Sequence, residues 1–155
     1  MIGAAAFVPG VSVPDRLVIN KGQTDNIKLG SAVVIKDNLA GVISQVSANI
    51  SQVDLISNQS LSFTAKTQNG AIGVIKGGSS LTLNNILLSE NVTAGELVLT
   101  KGNIGIDGTG APADLVVGKV TSVEKNPSDL FQKAKVESFI NFVNLSTVFV
   151  YMQIR

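Results

Sequence analysis

Short stretches in which apolar and polar residues alternate run along most of this chain, and turn residues separate them. The clearest alternation follows Gln132, where Ala134 and Val136 fall on one side and Lys133 and Lys135 on the other. A period of two is typical of a half-buried β-strand, and no segment sustains the longer period of an amphipathic helix. The pattern therefore predicts an all-β chain of about a dozen short strands.

Turn signals set the limits of these strands. Asn69-Gly70 is the strongest hairpin signal, and Asn126-Pro127-Ser128-Asp129 is a turn in which proline presets φ. Ser128–Lys135 has room for one helical turn at most. Val143–Ile154 is apolar on both faces, so we expect it to be buried on both sides or pinned against a neighbour. The predicted strands are Phe7–Val8, Leu17–Asn20, Ala32–Ile35, Leu39–Ser47, Gln52–Ile56, Leu61–Lys66, Ala71–Ile75, Leu81–Leu88, Glu96–Thr100, Val116–Lys125, the strand from Gln132, and Val143–Ile154.

Two parts of the chain resemble each other. Asn26–Val34 resembles Asn91–Leu99, and Leu39–Val46 resembles Val116–Val123. In each of the two copies, a glycine-containing turn precedes a strand. A second glycine then lies where a later strand is expected to bend at a barrel corner. Common ancestry explains the likeness, and so does a pattern generic to small β-barrels. Either explanation predicts two modules of related plan.

The strand count indicates how the modules connect. Six predicted strands fall within residues 59–141, five precede them, and Val143–Ile154 is left over. If that last strand pairs with the strands of the first module, the first module closes into a barrel and has no exposed strand edges. We therefore expect two small six-stranded β-barrels, the second inserted before the last strand of the first. The predicted domains are 1–58 plus 142–155, and 59–141.

Charge and aromatic content argue against nucleic-acid binding. Basic and acidic residues number 12 and 11, for a net charge of +1. Only Arg16 and Arg155 can offer the bidentate fork that base recognition favours, and six Phe and one Tyr do not predict a stacking platform.

Missing residue types limit the chemistry. The chain has no Cys and no His, which excludes a thiol nucleophile, a zinc–thiolate site and a Ser-His-Asp triad. A Ser-Lys dyad, with Ser79 or Ser80 near Lys76, is formally open, but polar residues in a glycine-rich turn explain these positions better. We expect no enzyme activity, no catalytic residues, no cofactor and no metal site.

The acidic residues also give no sign of a metal site. Their spacing matches no EF-hand loop, and turn chemistry accounts for each of Asp107, Asp114, Glu124 and Asp129.

No signal peptide is visible in the first residues of the sequence. No apolar run approaches the roughly 18 residues of a membrane span, and Met1–Val8 lacks the basic region of a signal peptide. A start at Met1 directly before strand-like sequence indicates either a cytosolic protein or a fragment of a longer one.

Exposed apolar residues are the remaining candidates for function, because protein partners bind such patches. Ile104 and Ile106 lie in a loop too polar to bury them easily, and burial is the alternative. Phe139 and Phe142 flank Asn141 at the crossing between the modules, where packing between the domains is the alternative. These four residues are the predicted protein-interaction site.

Several segments resemble the family of rod shape-determining proteins MreC, in the order expected over nearly the whole chain. The segment Val117–Glu137 is the most specific. The others are Leu17–Gly22, Ile27–Val34, Leu39–Ser47 and Gly95–Thr100. One departure is the loop Gly102–Asp114, which has a single proline where the family usually has a glycine run and two prolines.

The resemblance implies a fold and a role. The family has a membrane-spanning helix and a coiled coil before a region of two six-stranded barrels, so this chain would be that β-rich region without its anchor. It implies a non-enzymatic scaffold of the cell-wall elongation complex, located in the periplasm or at the outer face of the cytoplasmic membrane. The implied partners are a class B penicillin-binding transpeptidase, MreD and further copies of the chain, as a dimer or filament.

The alternative is a ligand-binding module or an adaptor barrel of an envelope transport protein. Such adaptors have similar Gly-x-Val strands, but they also carry lipoyl-like and hairpin segments on both sides.

Overall fold

The structure is a computed structural model that describes residues 2–7, 14–78, 80–102, 110–145 and 147–151. Within those residues the chain is all-β, as predicted. Apart from two 3₁₀ turns, at Gln23–Asp25 and Phe142–Asn144, its regular structure consists of strands.

Twelve strands form within the described residues. They are β1 Ile2–Phe7, β2 Arg16–Ile19, β3 Ala32–Ile35, β4 Asn38–Val46, β5 Ser51–Leu55, β6 Ser62–Thr67, β7 Ile72–Lys76, β8 Leu81–Leu87, β9 Leu97–Thr100, β10 Val116–Glu124, β11 Phe131–Glu137 and β12 Thr147–Val150. The predicted Ala32–Ile35 coincides with β3. The helical turn allowed for Ser128–Lys135 does not form, because β11 already begins at Phe131. Val8 of the predicted first strand lies outside the described residues.

The last strand is shorter and less buried than predicted. Val143–Ile154 was expected to be one strand, but Phe142–Asn144 form a 3₁₀ turn and β12 starts at Thr147. Its residues alternate between exposed and buried, and Phe149 is 42% exposed. Of the two alternatives, burial on both faces is wrong, because the outer face of β12 is open. The other alternative, a strand held against its neighbours, agrees with the pairing of β12 with β1 and β3. Residues 152–154 lie outside the described part.

Six consecutive strands of the chain form a closed barrel. In spatial order they are β6, β7, β8, β11, β10 and β9, and β9 pairs back with β6; every pairing is antiparallel. In β11, Gln132, Ala134 and Val136 point inward and the residues between them point outward, which confirms the predicted alternation.

The other six strands pair in the order β4, β3, β12, β1, β2 and β5, and β5 also pairs with β4. A parallel pairing between Val116 of β10 and Asn38 of β4 joins these strands to the closed barrel. In sequence, the six strands of the closed barrel lie between β5 and β12.

Gly41 and Gly118 allow two strands to approach a neighbour closely. A side chain at Gly41 would collide with the Asp54 carbonyl on β5, and one at Gly118 would collide with the Glu137 carbonyl on β11. At both sites the nearby pairing with the preceding strand shifts register. The predicted strand bends therefore fall at these glycines, where no other residue fits without movement.

Two clusters of buried apolar side chains fill the fold. The first lies mainly inside the closed barrel and is centred on fully buried residues such as Ile75, Leu83 and Val98. The second lies among the other six strands and includes Leu17 and Val53. Fully burying one such side chain contributes about 1.5–3 kcal/mol, so each cluster is a substantial core.

Candidate protein-interaction surface

The segment after β11 carries two of the predicted interaction residues. Asn141 Oδ1 accepts a hydrogen bond from Val143 N at 3.1 Å, which fixes the backbone between them. Phe142 is half-buried and packs against both apolar clusters, whereas Phe139 is 53% exposed. Phe142 thus lies where packing between domains would place it, and Phe139 presents its ring to solvent. Their role in binding a partner stays a prediction.

A cleft of about 290 Å³ lies beside Phe142. Ser57, Leu81 and Ile140 line it together with that phenylalanine, so it sits where the closed barrel meets the other strands. Both polar and apolar residues line this cleft, as is common at a boundary between two packed sets of strands.

Ile104 and Ile106, the other two predicted residues, lie outside the described part of the chain. The ends of their loop are described. Gly110 N donates to Gly30 O at 3.1 Å, and Thr100 Oγ1 donates to Pro112 O at 2.6 Å. The end of the loop at residues 110–112 is therefore held against the turn at Gly30 and against β9. Gly102 and Gly110 line a cleft of about 530 Å³ between the two sets of strands.

The polar residues considered for chemistry are dispersed. Ser80 and Lys76 are both exposed, unlike the desolvated lysine that activates such a nucleophile; Ser79 and Asp107 lie outside the described residues. Asp114 forms a salt bridge with Lys66 at 2.8 Å. Among the described residues, no group of three His, Cys, Asp or Glu side chains could hold a metal ion.

One exposed apolar group was not predicted from the sequence. Phe131 lies directly opposite Leu87 across the β8–β11 pairing, and Leu88 N donates to Leu130 O at 3.1 Å. Leu130 is 80% exposed, and Leu87 and Phe131 are about half exposed. Strand alternation provides a signal for Phe131, because it shares the outward face of β11 with Lys133.

Leu87 is exposed because of a β-bulge. Asn84 and Asn85 of β8 together oppose the single residue Lys133 of β11, and Asn85 has a φ of 58°. The extra residue reverses the inward and outward positions beyond it, so Ile86 is buried and Leu87 faces out. Simple alternation from Leu81 and Leu83 would have placed Leu87 inside.

Across the described residues, we find no helix with the length and apolar character that crossing a membrane demands.

Comparison with known proteins identifies relatives in sequence. Residues 10–152 match the family model described as rod shape-determining protein MreC, barrel core. The cell shape-determining protein MreC of Haemophilus influenzae is 29% identical over 126 residues, covering 79% of this chain and 35% of that protein. Its counterpart in Listeria monocytogenes is 27% identical over 144 residues, covering 88% and 48%. The chain spans less than half the length of these relatives.

Solved structures share the fold. MreC of Listeria monocytogenes superposes with a TM-score of 0.84 at 26% identity, covering 97% of this chain and 73% of that one. The major periplasmic domain of the cell shape-determining filament MreC gives 0.79 at 21% identity, with 96% and 92% covered. MreC in a complex with penicillin-binding protein PBP2 from Helicobacter pylori gives 0.69 at 17% identity, with 96% of both chains covered.

The family match extends over nearly all of the sequence, and the all-β fold with its closed barrel agrees with it. This chain belongs to the family of rod shape-determining proteins MreC.

Proposed function

We propose that this chain is a non-enzymatic scaffold of the bacterial cell-wall elongation (rod shape) complex and that it binds a class B penicillin-binding transpeptidase. The observation that carries the proposal is the match of residues 10–152 to the barrel core of a shape-determining family. The choice of partner is supported by the structurally similar MreC that forms a complex with PBP2. Family membership favours this role over that of a transport adaptor.

Self-association, as a dimer or filament, and binding to MreD are further parts of the proposal. A similar structure is described as belonging to a cell shape-determining filament, which supports self-association. The binding of MreD rests on the family resemblance alone.

The proposed location is extracytoplasmic, in the periplasm or at the outer face of the cytoplasmic membrane. The likeness to a domain described as periplasmic supports this location. The chain covers 35% and 48% of two relatives, which is consistent with a longer native protein whose preceding segments supply the membrane anchor.

The proposed architecture is two six-stranded barrels, the second inserted before the last strand of the first. Its domains are residues 1–58 plus 142–155, and residues 59–141. The return pairing of β5 with β4 and the place of β12 between β1 and β3 support the first barrel. The closed ring from β6 to β11 supports the second.

A scaffold acts by placing its partner, so the proposal is tested by where the transpeptidase goes in cells. In the bacterium that carries this gene, the region that encodes residues 1–155 is deleted and the preceding segments are kept. A fluorescent fusion then reports the position of the transpeptidase. We expect the enzyme to lose its side-wall localisation and the cells to lose their rod shape. Rod-shaped cells with normally placed transpeptidase would overturn the proposal.

A further inference from the structure

One outward face of the closed barrel combines exposed apolar side chains with two lysines that form no salt bridge within the described part of the chain. At one end of β7, β8 and β11 lie four large apolar residues that are about half exposed or more: Ile72, Leu87, Leu130 and Phe131. Ile72 shares the outward side of β7 with Val74 and Lys76. Contiguous exposed apolar groups of this kind mark binding surfaces in soluble proteins.

Two lysines lie at the other end of the same face. Lys76 of β7 and Lys135 of β11 both lie opposite Thr82 of β8, one on each side. Neighbouring strands are about 4.8 Å apart, so the two lysine backbones are separated by about 10 Å. The Debye length at physiological salt is about 8 Å, so repulsion between the two exposed ammonium groups is largely screened, and both charges remain available to an anionic group.

Two carboxylates lie near these lysines. Glu124 forms a salt bridge with Lys133 at 3.4 Å. Glu137 lies opposite Lys119 and two residues from Lys135 on the same outward face of β11, and among the described residues it forms no salt bridge with either lysine. In the part of the chain that the structure describes, neither Lys76 nor Lys135 forms a salt bridge. A carboxylate placed over Thr82 would lie between the two cations and be attracted to both.

The distance between the two ends defines the ligand. Phe131 and Lys135 are four residues apart on β11, which corresponds to about 13 Å along a strand. We propose that this apolar–basic face, formed by Ile72, Leu87, Leu130 and Phe131 with Lys76 and Lys135, binds an extended acidic–apolar segment of a partner protein. The segment carries a Phe or Leu anchor and, about 13 Å away, an Asp or Glu carboxylate.

The presence of an apolar end and a basic end on one face favours a ligand that carries both an apolar and an acidic group. A purely anionic polymer would leave the apolar end uncovered, and a purely apolar segment would leave the lysines unpaired. Apolar contacts supply most of the affinity, whereas the carboxylate fixes orientation and makes binding sensitive to salt. The inference goes beyond the proposed function, because it does not depend on which protein supplies the segment.

The test is an NMR titration of the ¹⁵N-labelled chain with capped synthetic peptides. The first peptide has Phe and Glu four positions apart among Ser and Thr residues; the second replaces Glu with Lys, and the third replaces Phe with Ser. We expect saturable shift changes confined to β7, β8 and β11 with the first peptide. Both control peptides should bind at least about tenfold more weakly, because each loses one kind of contact.

Variants of the chain provide the second arm. Phe131→Ser and Lys135→Gln should each weaken binding of the first peptide about tenfold. Phe149→Ser, which changes a similarly exposed phenylalanine in β12, should leave it unchanged. The ¹⁵N spectrum shows directly that each variant is folded. Scattered shifts, an equal response to all three peptides, unaltered binding by folded Phe131 and Lys135 variants, or no response at millimolar peptide would each overturn the proposal.

Discussion

Gly30 and Gly95 hold equivalent backbone positions in the two halves of the chain. Their φ angles are 85° and 95°, and each glycine N–H donates to a carbonyl on a later strand, that of Ile43 at 2.9 Å and that of Val120 at 2.7 Å. In each case the accepting residue's own N–H donates back to the residue after the glycine, at 2.9 and 2.8 Å. Both halves thus dock a tight turn onto a strand in the same way.

Glycine is favoured at position 95 because the backbone there is left-handed. Space is not the reason, since no atom lies within 4 Å of where a Cβ would be. Gly95→Ala should therefore lower the free energy of unfolding by about 1 kcal/mol through backbone strain alone. Gly95→Asn should cost less, because Asn tolerates this conformation better. Urea unfolding measures both, and an Ala variant as stable as the parent would contradict the assignment.

Gly118 presents the opposite case, in which space is limiting. A Cβ there would collide with the Glu137 carbonyl, so Gly118→Ala must push β10 away from β11. We expect a loss of about 1–3 kcal/mol in the free energy of unfolding. Ser122→Ala, at an exposed position of the same strand, is the matched control and should change stability by no more than about 0.5 kcal/mol.

Replacing each of the two phenylalanines after β11 should have a different effect on the free energy of unfolding. Phe142 packs against both apolar clusters, so Phe142→Ala should lower the unfolding free energy by about 2–3 kcal/mol, less than a fully buried Phe. Phe139→Ala removes a ring that is about half exposed and packs against neither cluster, and should cost under about 1 kcal/mol. Thermal unfolding followed by circular dichroism measures both. Equal losses would mean that Phe142 does not link the two cores.

Gln132 holds the end of β8 in place. Its Nε2 donates to Leu87 O at 2.9 Å and to Glu90 O at 2.7 Å, and its side chain is buried. Gln132→Leu leaves both carbonyls without this donor and should cost about 1–3 kcal/mol. Gln45→Leu, at an exposed position of β4, should be nearly neutral in the same urea unfolding experiment. A stable Gln132→Leu protein would show that water replaces the amide.

The sequence predicts the strands well because turn residues and alternation are local signals. The all-β class, the hairpin at Asn69-Gly70 and the bends at Gly41 and Gly118 all follow from residues within a few positions of each other. The short β12 could not be predicted in the same way. Phe149 is apolar yet faces out of the sheet, so apolar character alone overstated its burial.

The candidate surface was harder to predict than the fold. Exposure of Leu87 depends on the bulge at Asn84 and Asn85, and such a bulge reverses the face of every residue beyond it. The difference between Phe139 and Phe142 depends on contacts with two cores that are distant in sequence. Binding surfaces of this kind arise from tertiary structure, which local patterns do not encode.

The proposed scaffold role depends on direct contact with the transpeptidase. Isothermal titration of the purified chain with the transpeptidase ectodomain from the same bacterium measures that contact. We predict a saturable complex with a Kd in the micromolar range or tighter. No binding at about 100 μM of either protein would contradict it.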